Sequence, residues 1–424
     1  MTPERDRRAR LSVYAAFAIQ GLCFASLVTR VPQIQDAHHL SDGALALVLL
    51  LVPVIAGVGS VVAGSLFARF GSGPVLRIAQ PGVCLAMVLV GLTGGALIPL
   101  YVAVALFGVC VGAVDAGMNA QAVTAERRYG KSLLTGFYAV WSVAGILGGL
   151  WVALANRLDL SLFVGFVLPA VLGVALSLVS GRGLYRKAEE VTAPSAEELK
   201  AAARRVPWRP VLVVGIAMGV FYLADSVISS YSAKYLSDEL DAGDSLAPLA
   251  YVAYQVTMVV ARASADFGVR RYGGVQVVRL GGIVGLIGMI GVVASPNAAA
   301  AIAAFAVAGL GLSVVAPVAF SAAGQVDPTG LGVAVARLNV FNYVGFVLGA
   351  AIAGILAPTG GTDGLRLVFA VPAALVVVII LLARGFAPRP VPAGAAAPGR
   401  GDATAPSSPE AGPGPSRTAV PPGS

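Results

Sequence analysis

Charged residues divide the chain into long apolar runs. Leu11 to Thr29, Gly43 to Ala68, Ser132 to Asn156, Leu160 to Gly181, Ser245 to Ala261, Leu338 to Thr362 and Leu367 to Ala383 carry no charged side chain. Two further runs are long enough for two crossings each. Ile78 to Val114 breaks at Gly94-Gly95 and Pro99, and Leu280 to Val326 breaks at Ser295-Pro296-Asn297. Pro210 to Ala233 is interrupted only by Asp225. One helical crossing takes about 20 apolar residues, so the pattern predicts twelve spans. Lipid offers an open backbone no hydrogen bonds, which makes the spans helices. The ten-residue alternation of a transmembrane barrel strand does not occur. The expected fold class is an all-α membrane protein with twelve transmembrane helices.

Composition agrees. Of 424 residues, 57% are hydrophobic and 12% charged, with mean hydropathy +0.84. Soluble domains carry about 25% charged residues, so a soluble enzyme, a nucleic-acid binder and a disordered chain are excluded. The net charge of +8 is a topology signal. With the N-terminus in the cytoplasm, 23 Lys and Arg lie inside and only Arg30, Arg157, Lys234 and Arg366 outside, with Arg400 and Arg417 in the tail. This asymmetry is the positive-inside pattern. It predicts a multi-pass protein of the plasma (inner) membrane with both termini cytoplasmic. The first apolar run lacks a small-residue cleavage site followed by a soluble domain, so no signal peptide is expected.

The twelve spans fall into two sets of six. Residues 1–181 form the first half, 182–210 a charged cytoplasmic linker and 211–386 the second half. In the linker, Ser195 and Glu198 have capping-box spacing, Arg204-Arg205 suit a helix C-terminus and Pro207 ends it. Such a helix either braces the halves or tethers them. The halves repeat: Arg69-Phe-Gly-Ser-Gly-Pro-Val-Leu-Arg77 recurs 202 residues later as Arg271-Tyr-Gly-Gly-Val-Gln-Val-Val-Arg279, with four of nine positions identical. Internal repeats of this kind are a transporter feature. Residues 387–424 contain ten prolines and too few apolar side chains for a core, so they read as a disordered cytoplasmic tail.

Charges inside a bilayer are costly and usually functional. Two carboxylates qualify as proton-coupling groups, Asp115 in span four and Asp225 in span seven. On span seven, Tyr222, Asp225, Ser226 and Ser229 share a face by helical spacing, and on span eight Tyr251, Tyr254, Gln255, Met258 and Arg262 do. Asn339, Asn342 and Tyr343 form a patch on span eleven; Gln20, Asn119, Tyr138 and Trp141 are first-half candidates. Amide, hydroxyl and aromatic groups together suit a small polar or amphiphilic organic solute. The same residue types also make interhelical hydrogen bonds. Arg30, at the outer end of span one, is expected to snorkel to the interface. The pairs Gly108/Gly112, Gly215/Gly219 and Gly345/Gly349 predict close helix packing.

Other motifs are dismissed. Ala125-Glu-Arg-Arg-Tyr-Gly-Lys-Ser132 lacks the first glycine of a phosphate-binding loop and joins two membrane helices. Cys23, Cys84 and Cys110 lie in apolar runs without CxxC spacing, and His38-His39 has no companion ligands. No metal, no cofactor and no catalytic cluster is expected, and the chain is not read as an enzyme.

Residues 11–386 resemble the major facilitator superfamily. Gly64-Ser-Leu-Phe-Ala-Arg-Phe-Gly71 is similar to the family's loop after span two, with Ala68 where an acid is usual. The resemblance implies gating roles for Arg69 and, in the second half, for Arg262, Asp266 and Arg271, with Asp266 pairing with Arg262. Ala144-Gly-Ile-Leu-Gly-Gly149 resembles the drug/proton antiporter signature without its proline, and Asp115-Ala-Gly-Met-Asn119 with Pro32-Gln33 resembles the fucose-type sugar/proton symporters. In that branch the span-four acid carries the proton, and a second acid belongs where Val28 stands. The resemblance implies a proton-coupled secondary transporter working by alternating access. Its partners would be a small-molecule substrate, protons and the bilayer, with no nucleic acid and no required oligomer. A drug-like efflux antiporter and a non-transporting membrane sensor or scaffold are the alternatives.

Overall fold

A computed structural model describes residues 3–129, 133–190, 196–326, 333–357 and 364–387. Ser195 and all but Ala387 of the tail lie outside them, as does the Asp266 side chain. Among the described residues the regular structure is helical, without strands. The first half contains α1 (Pro3–Val28), a short α2 (Val31–Ala37), α3 (Asp42–Phe70), α4 (Ser72–Leu92), α5 (Leu97–Tyr129), α6 (Leu134–Arg157) and α7 (Leu162–Gly181). The linker contributes α8 (Ala196–Arg205). The second half contains α9 (Trp208–Lys234), α10 (Leu249–Tyr272), α11 (Gly274–Val293), α12 (Ala298–Leu312), α13 (Val315–Val326), α14 (Val333–Leu356) and α15 (Gly364–Leu382).

Eleven segments are long and apolar enough to cross a membrane, and α10 completes the expected twelve. Two elements depart from the sequence reading. The tenth crossing is not one helix: α12 and α13 are separated at Ser313-Val314. Pro317 explains the break, because its ring clashes with the carbonyl four residues back and it offers no N–H. The short α2, with Pro32 in its first turn, was hidden between two spans.

The repeat in sequence is a repeat in structure. Gly71 and Gly273 link consecutive spans at φ +86° and +82°, a region that favours glycine. Their N–H groups close the preceding helices on the carbonyls of Phe67 and Val269. Close packing through glycine is also present. Gly112 of α5 lies against the Ala56 backbone of α3, and a Cβ on Gly349 of α14 would sit 2.6 Å from the Leu223 carbonyl oxygen of α9.

The halves meet along α3 with α14 and α6 with α10. We call the side where α1 begins the basic face. On the opposite face several contacts close the seam between the halves. Lys234 Nζ of α9 donates to Gln35 Oε1 at 2.5 Å and pairs with Asp42 of α3 at 3.2 Å, while also pairing with its neighbour Asp238. Asn156 Nδ2 donates to the Asp244 carbonyl at 2.8 Å, and Gly354 of α14 packs on Ala46 of α3.

The linker is fixed at both ends on the basic face. Its first part belongs to the first half: Glu190 Oε1 accepts from the Ser72 N–H (2.8 Å) and hydroxyl (2.9 Å), and Gln121 exchanges hydrogen bonds with the Tyr185 backbone (2.8 and 3.1 Å). Arg5 grips Glu189 through Nε (3.0 Å) and Nη2 (2.6 Å). The end of α8 belongs to the second half. Arg337 of α14 donates to the Ala203 and Val206 carbonyls at 2.6 and 2.8 Å and stacks 4.1 Å over Trp208.

Candidate transport site

Asp115 lies in the membrane section of α5, and its neighbours come from both halves. One turn on, Asn119 Nδ2 donates to the Asp115 backbone carbonyl at 2.9 Å and to its carboxylate at 3.4 Å. From α6, the Tyr138 hydroxyl donates to Asn119 Oδ1 at 2.9 Å. Gln20, buried on α1, bonds the same carboxyl. From α14, across the seam, the Tyr343 hydroxyl donates to Asp115 Oδ2 at 3.4 Å. Tyr138 and Tyr343 remain about 40% exposed while making these bonds, so the cluster borders a cleft between the halves.

The second acid is held within its own half. Tyr254 of α10 donates its hydroxyl to Asp225 Oδ1 at 2.7 Å. The Arg262 charge acts on Asp225, Tyr222 and Tyr254, but no ion pair joins Arg262 to a described residue. Tyr222 is within electrostatic reach of both acids and packs 5.4 Å from the Phe346 ring. Tyr251 accepts from Gln255 Nε2 at 2.8 Å, and its hydroxyl reaches the place a Cβ of Gly145 would fill, on the α6 seam. Gln255 Oε1 and Asn342 Oδ1 are buried without a partner. Trp141 packs 6.1 Å from Phe24. Ser229 is buried, and Asn339 is half-buried one turn nearer the basic face than Asn342 and Tyr343. Ser226 bonds the Phe346 carbonyl at 3.0 Å, joining α9 to α14.

The chain is 30% identical to an uncharacterised MFS-type transporter of Yersinia pestis over 354 residues, covering 82% of this chain and 88% of the relative. The chain belongs to the major facilitator superfamily. The superfamily model matches residues 214–418. The membrane protein MosC of Rhizobium meliloti is 26% identical, covering 85% of this chain and 86% of the relative. Among solved structures, the nucleoside transporter NupG (D323A mutant) superposes with TM-score 0.72 at 14% identity, covering 89% of this chain and 99% of that chain. A bacterial homologue of the lysosomal transporter Spinster, inward-facing and occupied, gives TM-score 0.69 at 12% identity, covering 91% and 97%. FucP in the outward conformation gives 0.59 at 15%, covering 89% and 98%. The fold is therefore that of the superfamily, with twelve helices in two halves, and the protein is a multi-pass secondary transporter of the alternating-access kind.

The residues expected to act as a gate form no ion pair among the described residues. Arg69 and Arg271 are exposed and lie over the adjacent rings of Phe70 and Tyr272, at 5.0 and 5.6 Å. Neither forms an ion pair with a described residue. Where the acid is replaced by Ala68, the linker's Lys187 Nζ ties the loop instead, donating to the Ala68 carbonyl at 2.6 Å and the Arg69 carbonyl at 3.2 Å. The expected Arg262–Asp266 pair lies outside the described residues.

Arg30 corrects an expectation. It does not snorkel: it is 1% exposed, with Nη1 on the Leu160 and Ser161 carbonyls (3.4 and 3.2 Å) and Cζ 5.7 Å from the Phe166 ring. Gly165 makes the room, since a Cβ there would lie 2.5 Å from the guanidinium carbon. Sequence reasoning also missed the role of Lys234, whose only local signal is Asp238 four residues later. The Glu189 network was missed as well. On the basic face, burial works to raise the Glu189 carboxyl. The Arg5 hydrogen bond, the Arg186 N–H and the charges of Arg5 and Arg128 outweigh it and hold the group below its usual range.

Proposed function

We propose that the protein is a proton-coupled transporter of a small polar or amphiphilic organic solute in the plasma membrane. The basic face is the cytoplasmic one, following the positive-inside rule, with the N-terminus on that side. The seam is then closed outside and the cleft beside Asp115 opens inward. One observation carries the coupling: Asp115 of one half accepts a hydrogen bond from Tyr343 of the other. Rocking the halves to open the outer face moves Tyr343 relative to Asp115. A carboxyl group whose donor differs between two states binds its proton differently in each, and by linkage the proton biases the states in return. Solute binding between the halves completes the cycle.

The test needs no known solute. Spin-label pairs at Ser41 and Asp241 on one face, and at Arg69 and Arg271 on the other, report opening of each side in nanodiscs. Acidification is expected to shift the distance populations reciprocally on the two faces. Asp115→Asn, nearly isosteric with the protonated acid, is expected to fix one population at every pH. Distances indifferent to pH in the unmodified chain, or an unaltered pH response in Asp115→Asn, would remove the coupling assignment.

A further inference from the structure

Resting on that reading, we infer that the solute is a hydroxylated organic carboxylate, a sugar acid in the broad sense, whose carboxylate is held by Arg262. The first observation is a charge imbalance around the two acids. Arg262 is a permanently charged guanidinium, half-buried on the membrane helix α10. Charges at such depth normally pair or line a solute pathway. The acid within its reach, Asp225, takes the Tyr254 hydroxyl and stands outside ion-pair distance. The other acid, Asp115, takes Asn119 and Tyr343. Both described carboxylates near it are thus engaged by neutral donors, and among the described residues the guanidinium has no ion-pair partner, so its fork of N–H groups matches an incoming carboxylate. No second cation is described among the cleft residues, which favours a monoanion over a phosphate dianion.

The second observation is independent of charge. Gln255 Oε1 and Asn342 Oδ1 are buried without partners, and buried polar groups normally have one. Gln255 precedes Arg262 by seven residues on the same face of α10, about 10 Å along the axis. A five- or six-carbon chain covers that span. Hydroxyl groups serve such amides well, since a hydroxyl donates to the oxygen or accepts from the nitrogen whichever way the amide is turned. Tyr222 and Tyr343 supply walls against which a carbon backbone packs.

The experiment uses full-length protein in nanodiscs, with thermal shift and calorimetric titration. The probes are D-gluconate and D-galacturonate, their neutral counterparts D-glucose and D-galactose, and hexanoate as a carboxylate without hydroxyls. At least one sugar acid is expected to bind more tightly than its neutral counterpart and than hexanoate. Arg262→Gln is expected to weaken that acid about 10- to 100-fold, the range for a lost charge-assisted contact, without changing the neutral sugars. Gln255→Leu is expected to weaken the sugar acid but not hexanoate. Where Arg262→Gln fails to give monodisperse protein, Arg262→Lys carries the test, with a smaller loss confined to the acids. The inference is overturned if no acid binds, if neutral sugars bind as tightly, or if the Arg262 variants leave acid affinity unchanged or weaken all probes equally. Failure here with an intact pH response of the spin labels removes the solute class and leaves proton coupling standing. Arg262-dependent acid binding with inert distances does the reverse.

Discussion

Asp225 and Tyr254 show what a single hydroxyl does in an apolar setting. The 2.7 Å bond comes from the one donor to that carboxyl found among the described residues. Tyr254→Phe keeps the ring and removes the donor. Leaving a buried acceptor unpaired costs about 1–3 kcal/mol, so the variant is expected to melt earlier than the unmodified protein in detergent, an equal melting temperature speaking against this role. Both acids were legible in the sequence, Asp225 as a lone charge inside an apolar run and Asp115 as the only charge between Arg77 and Glu126. Arg30 and Lys234 were not. They stand at run ends, where a snorkelling side chain and a buried one have the same sequence signature. What decides between them is distant: the Leu160 and Ser161 carbonyls beside Gly165 for Arg30, and Asp42 with Gln35 for Lys234.

Between helices, glycine spacing predicted close packing, and contact distances rank the sites. A leucine at Gly349 of α14 meets the Leu223 carbonyl, whereas a Cβ at Gly64 of α3 meets nothing within 4 Å. Gly349→Leu is expected to destabilise by about 1–3 kcal/mol and to lower the yield of monodisperse protein. Gly64→Ala is expected to be neutral, and equal behaviour of the two would contradict the packing described. The break between α12 and α13 was legible in principle from Pro317, but a hydropathy count does not register a proline inside an apolar run. The linker network was not legible, because Glu189 and Arg5 are 184 residues apart. That network predicts a pH effect. A carboxyl held below its unfolded value stabilises the fold above that value, about 4.3 for glutamate. The stabilisation is lost as pH falls through the lower, folded value. Glu189→Gln is therefore expected to lower the melting temperature at neutral pH and to flatten its decline on acidification. A parallel decline in both proteins would exclude the effect.

For the whole molecule, counting apolar runs gave the twelve crossings and the repeat gave the two halves, since both follow from local pattern. The state of the seam did not, because it depends on which faces of α3, α6, α10 and α14 meet. Lys234 bridges both halves from a buried position. Lys234→Gln removes its charge and is expected to lengthen the Ser41–Asp241 spin-label distance in a larger fraction of molecules, an unchanged distribution arguing that the latch lies elsewhere. The two anchorages of the linker have a mechanical corollary. Glu190 is bound to α4 of one half and Ala203 to α14 of the other, so the chain passes from one half to the other between these two hydrogen bonds. The linker is a leash of fixed contour length tied to both halves, and how far they can part on the basic face is written into the number of residues between its two knots.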